Sequence, residues 1–98
     1  MELQNDINKE INLECNRLKE LLIKKNEICD NSFFRNLDEY GNVLMCIRIE
    51  DKLNMLKQIV LQGANNGKPN EELNDALIEL ANYTILSKIY LKRLGRKT

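Results

Sequence analysis

Residues 70–83 read Asn-Glu-Glu-Leu-Asn-Asp-Ala-Leu-Ile-Glu-Leu-Ala-Asn-Tyr, and this stretch decides the fold. As a helix it sets Glu72, Asp75, Glu79, Asn82 and Tyr83 at steps of three and four, on one side. The neighbouring side carries Leu73, Leu77, Leu80 and Thr84, which is core spacing. Acids at one-turn intervals along an apolar stripe are costly unless something positive meets them. A divalent metal, a basic partner residue or a cationic ligand would each satisfy them.

Working outward, residues 63–69, Gly-Ala-Asn-Asn-Gly-Lys-Pro, form a plain connection with a Gly stop and a Pro start. Gly63 and Gly67 fit no phosphate-cradling spacing. The helix before it should run from about 43 to 62, with Asn42 as its cap. Leu44, Ile47 and Met55, with Ile49, Leu53, Leu56 and Val60 on an adjoining row, make a wide apolar face. Asp51 falls inside that face, with Arg48 and Lys52 beside it. Either a buried ion pair with one of these cations or a functional carboxylate accounts for an acid there. On the C-terminal side, the helix from about 71 should end near 94 at Gly95. The basic residues Lys92, Arg93, Arg96 and Lys97 suit a solvated helix end.

Toward the N-terminus, residues 2 to about 27 repeat Leu3, Ile7, Ile11, Cys15, Leu18 and Leu22 at helical spacing. Lys24 and Lys25 close this helix, as a solvated end or facing phosphate. Residues 30–32, Asp-Asn-Ser, are turn chemistry and supply an N-cap for a short helix at about 33–40, which Gly41 ends. Phe33, Phe34 and Tyr40 belong to the core or stack a base. Strand alternation is absent. The expectation is a single all-α domain over 1–98: a small bundle of three main helices (about 2–27, 43–62 and 71–94) plus the short helix. Residues 1–27 make an N-terminal helix and 28–94 the core.

The chain has 98 residues, enough for one modest core, so self-association into a dimer or higher oligomer is expected. Its 15 basic and 15 acidic residues cancel, so there is no strong nucleic-acid or membrane-surface signal. No apolar run approaches the roughly 18 residues a membrane span needs. The three cysteines, Cys15, Cys29 and Cys46, form no CxxC, and no signal peptide opens the chain; a reduced, cytoplasmic protein is expected. The absence of histidine excludes His-based triads and the usual zinc sites.

Three segments carry a resemblance: residues 38–41 (Asp-Glu-Tyr-Gly), 48–54 (Arg-Ile-Glu-Asp-Lys-Leu-Asn), and 72–83 with its Glu-Leu-Asn-Asp and Glu-Leu-Ala-Asn-Tyr. In this order they resemble the first nucleotide-modification-associated domain family of phages and bacteria, over roughly residues 24–88. That family is similar to the all-α nucleotide pyrophosphohydrolases, the MazG-like and dimeric dUTPase-like group. Those enzymes hold magnesium with carboxylates from facing helices and cleave between the α- and β-phosphates.

The resemblance implies roles. Glu72 and Asp75 match the Glu-x-x-Asp metal motif, and Asp51 would complete the Mg²⁺ set. Glu79 would orient the attacking water. Arg48 and Lys52 would neutralise phosphate, Lys52 taking part in catalysis, and Asn82 and Tyr83 would contact sugar or base. Lys25 is a further candidate for phosphate. The chain departs from the pattern in four ways, the first being that residues 26–30, Asn-Glu-Ile-Cys-Asp, blur the family's Asp-Tyr-Gly turn. Glu79 stands where the family has Asp, Met55 where an arginine is expected, and the middle helix lacks the pyrophosphohydrolases' Glu-x-x-Glu pair. The implied function is therefore nucleotide binding with Mg-dependent pyrophosphohydrolysis. The alternatives are an inert phage protein that sequesters a nucleotide signal of host defence, and a protein-binding inhibitor.

Overall fold

The computed structural model describes residues 2–63 and 71–97, and no strand occurs among them. Four helices follow one another: α1 (Glu2–Ile28), α2 (Ser32–Tyr40), α3 (Val43–Leu61) and α4 (Glu71–Lys97). The chain divides into two compact units, Met1–Ser32 and Phe33–Thr98.

The first unit is α1 and the turn that ends it. Among the residues of α1 only Leu22 is buried, while Leu3, Ile7 and Ile11 are exposed. The Asp30-Asn31 turn closes the helix before it. Asp30 and Asn31 both take positive φ, 53° and 52°. The Asp30 N–H donates to the Glu27 carbonyl (3.1 Å) and the Asn31 N–H to that of Asn26 (2.9 Å). This is the Schellman pattern, and it satisfies two carbonyls at the end of α1. Asp and Asn are the side chains that best tolerate the left-handed conformation.

The second unit holds the core. Leu44 and Met45, near the start of α3, cluster with Leu86 and Tyr90, near the end of α4. Further along, Lys52 reaches Glu79. Early residues of α3 thus meet late residues of α4, so the two helices are antiparallel. Phe33 and Leu37 of α2 complete the cluster, with Phe34, Tyr83 and Leu94 packed at its margin. The glycine at the end of α2 does what its position predicts. Gly41 takes φ +84°, and its N–H donates to the Leu37 carbonyl at 2.8 Å, closing a left-handed cap. Gly63 likewise takes φ +80° after α3. The expected Pro69 start lies outside the described residues.

Several expectations are corrected. Asn42 occupies the N-cap position of α3 but makes no side-chain cap bond, because its backbone is already helical at φ −65°, ψ −20°. A capping side chain needs an extended backbone to swing over the first turn. Helix α4 does not stop at Gly95 but continues to Lys97. A glycine in helical conformation costs only about 1 kcal/mol relative to Ala, which good helix formers around it offset.

The buried faces are also rotated from those the apolar rows suggest. On α3 the buried side chains are Leu44, Met45 and Ile59, while Ile47 and Met55 are about half exposed. On α4 the buried residues are Ala76, Asn82, Leu86, Ser87 and Tyr90, whereas Leu77 is 49% exposed. Packing geometry, not hydropathy alone, has chosen the face.

Candidate functional site

The face between α3 and α4 brings together two of the residues singled out from the sequence. Lys52 Nζ lies 2.7 Å from Glu79 Oε2, with side chains 21% and 31% exposed. The two charges are partly withdrawn from water, so each stabilises the other more than an open surface pair would. Arg48 is half-buried one helical turn before Lys52 on the same row of α3, so its guanidinium and the Lys52 ammonium belong to one stripe. Glu79 is half-buried on α4, with Asn82 one turn further on and buried (3% exposed).

The other acids do not join this pair. Asp51, Glu72 and Asp75 are exposed. Asp51 is not held inside an apolar face; it lies on the outer side of α3, because the buried stripe runs through Met45 and Ile59. Nor does it take Lys52 as its partner, since that ammonium faces Glu79. Among the described residues no group of three His, Cys, Asp or Glu side chains lies close enough to hold a metal ion. Magnesium takes octahedral oxygen ligands but usually keeps several waters, so one or two carboxylates with a substrate's phosphates can hold it. Asp51, Glu72 and Asp75 do not form a three-ligand group.

Tyr83 is half-buried, its ring meeting Phe33 edge-on at 5.0 Å and 70°. That contact places it at the margin of the core rather than in open solvent. Thr84, expected on the core stripe, is exposed and turns its hydroxyl back to the Leu80 carbonyl at 2.8 Å. Lys25 belongs to the first unit, where it is half-buried near the end of α1.

A second constellation, between α2 and α4, was only half visible in the sequence. Phe34, Asp38, Tyr90, Arg93 and Leu94 line a cleft of about 80 Å³. The Tyr90 hydroxyl donates to Asp38 Oδ1 at 2.7 Å. The rings of Phe34 and Tyr90 stack at 6.2 Å and 22°, and the Arg93 guanidinium sits 5.7 Å from the Phe34 centroid. Phe34 and Arg93 stood out in the sequence, as an aromatic and as a basic tail residue. Asp38 and Tyr90 did not stand out as partners, being 52 positions apart. The available signal was the row Phe34–Asp38 at one turn's spacing on a helix with an otherwise apolar side.

The carboxylate beside Tyr90 raises that phenol above the ordinary tyrosine value, chiefly through the hydrogen bond from the neutral hydroxyl. Burial and the charge of Asp38 push the same way. Because the folded value exceeds the unfolded one, this contact stabilises the fold fully below the usual tyrosine value near 10 and is lost as pH rises through the raised value. An absorbance titration at alkaline pH should show one of the three tyrosines ionising last, and Tyr90→Phe should remove that late component. A late component that survives the substitution would assign the shift to another ring.

Compared with known protein families, curated proteins and solved structures, the chain matches none.

Proposed function

We propose that this protein binds a nucleotide or a nucleotide-derived small molecule at the α3–α4 face, in the manner of the all-α nucleotide pyrophosphohydrolases it resembles. The observation that carries the reading is the Lys52–Glu79 contact at 2.7 Å. It sets the Arg-Ile-Glu-Asp-Lys segment against the Glu-Leu-Ala-Asn-Tyr segment, the two pieces on which the resemblance rests. Phosphate oxygens would compete with Glu79 for the Lys52 ammonium, and Arg48 would supply a second cation one turn away. Binding without turnover is the form this arrangement favours, since Asp51, Glu72 and Asp75 stand exposed and apart from a three-ligand group. In a phage setting such binding would withdraw a nucleotide signal from host defence.

A protein-binding role is the second reading. It is favoured by the large exposed apolar side chains, Leu61 at 84% and Val43 at 62% on α3 among them.

The test is calorimetry and pyrophosphate detection with a panel of nucleoside mono-, di- and triphosphates and cyclic nucleotides, with and without magnesium. Heat without pyrophosphate release is the expected result. Magnesium-dependent release of pyrophosphate would restore the hydrolase assignment. Silence with every nucleotide would end the nucleotide reading and leave the protein partner.

A further inference from the structure

The cleft between α2 and α4 plays no part in the phosphate site described above, yet it is built from groups suited to recognition. Asp38 and Arg93 line the same small space. Asp38 accepts one hydrogen bond, from Tyr90, through Oδ1. Arg93 lies over the Phe34 ring, and among the described residues it makes no ion pair with Asp38 or another acid. Both residues are exposed, so the hydrogen-bonding capacity that they do not spend on each other faces solvent and is open to a ligand.

The carboxylate is also held in place. Tyr90 is 8% exposed and fixes Oδ1, so Oδ2 is presented from an anchored group rather than a mobile one. Anchoring of this kind lowers the ordering cost of binding. The rings of Phe34 and Tyr90 stack on one another at the edge of the cleft and give it an apolar border. The space of about 80 Å³ holds the equivalent of two or three waters at about 30 Å³ each, which is the edge of a base and not a whole nucleotide.

We propose that this cleft is a base-recognition site for the Watson–Crick edge of guanine. Asp38 accepts from the ring N–H and the exocyclic amine, and Arg93 donates to the neighbouring carbonyl. Guanine is the base whose edge sets two adjacent donors beside an acceptor oxygen. Adenine and cytosine offer one amine, and uracil one N–H between two carbonyls. The choice of a nucleoside as ligand class rests on the nucleotide reading above; the donor–acceptor match is independent of it.

The experiment uses nucleosides, which carry no phosphate for Lys52. Guanosine, inosine and adenosine are titrated into the full chain and into Asp38→Asn. Asparagine keeps an acceptor for the Tyr90 hydroxyl but turns an amide donor toward the ligand. Inosine is guanosine without the exocyclic amine. Wild type should prefer guanosine to inosine about tenfold, and Asp38→Asn should abolish that difference. Arg93→Gln, which leaves Asp38 intact, should weaken guanosine and inosine by a similar factor. Equal binding of guanosine and adenosine, no binding of either, or a guanosine–inosine gap that survives Asp38→Asn would each overturn the proposal. Nucleotides that bind through Lys52 with no base preference would sink this inference and spare the reading above. Guanosine preference with no added affinity from phosphate would do the reverse.

Discussion

Leu37→Ala should lower the unfolding free energy by about 2–5 kcal/mol and the thermal midpoint by roughly 10 °C or more. Leu37 is the most completely enclosed large side chain described, at 1% exposure, with Phe33, Leu44, Met45, Leu86 and Tyr90 in the same cluster. It lies on α2, a helix of nine residues. A helix that short has no standing of its own in water and persists only through the apolar face it buries. Removing the leucine therefore takes away both packing and the main anchor of the element. The loss is a large part of the 5–15 kcal/mol typical of a whole domain. Denaturation followed by helical ellipticity, with urea as the second axis, measures it. Leu61→Ala, at a side chain 84% exposed, should stay within about 0.5 kcal/mol of wild type. A Leu37 variant as stable as the Leu61 variant would mean that α2 is not held by this core.

Lys52→Ala should weaken nucleotide binding by about tenfold or more while costing no more than about 1 kcal/mol of stability. The two effects separate because the Lys52–Glu79 pair is only partly sheltered, at 21% and 31% exposure. Water screens the pair in the free protein, but a triphosphate brings several charges to the same ammonium. Glu79→Gln gives the opposite sign. It removes the carboxylate that competes with phosphate, so affinity should rise. Were Glu79 a ligand through which a cation held the phosphates, the same substitution would weaken binding. Calorimetry on the two variants and wild type reads both signs. Unchanged affinity in Lys52→Ala would remove the α3–α4 face from the account.

The helices were legible in the sequence because their signals are local. Gly41 and Gly63 sit where left-handed caps are needed, and both take positive φ. Apolar repeats predicted the three long helices, the turn at 30–32 and Gly41 predicted the short one, and the observed limits of the first three elements differ from expectation by one residue. What was not legible depends on rotation about a helix axis and on distance along the chain. Asp51 looked enclosed because Leu44, Ile47 and Met55 share its row. Leu44 of that row is buried in the core, but Ile47 and Met55 are about half exposed, and Asp51 lies outside with them. On α4 the leucine row is partly covered, with Leu73 and Leu80 half-buried and Leu77 exposed, while Ala76, Leu86, Ser87 and Tyr90 are buried.

At the candidate site the sequence offered Asp51, on the same helix, as an ion-pair partner for Arg48 or Lys52, whereas Lys52 meets Glu79 on the neighbouring helix. The Tyr90–Asp38 bond joins residues 52 positions apart. No periodicity within either helix encodes such a pairing. The Asp30-Asn31 turn shows the converse case. Its residue types announced a turn, and its positive-φ backbone closes α1 with it.

The central claim is that phosphate takes the Lys52 ammonium from Glu79. The most direct measurement follows the lysine side-chain NMR signals as a nucleoside triphosphate is added. Lys52 should shift saturably at low ligand, while the exposed Lys57 and Lys88 stay in place. A Lys52 signal that does not move, or that moves only together with every other lysine, would contradict the claim.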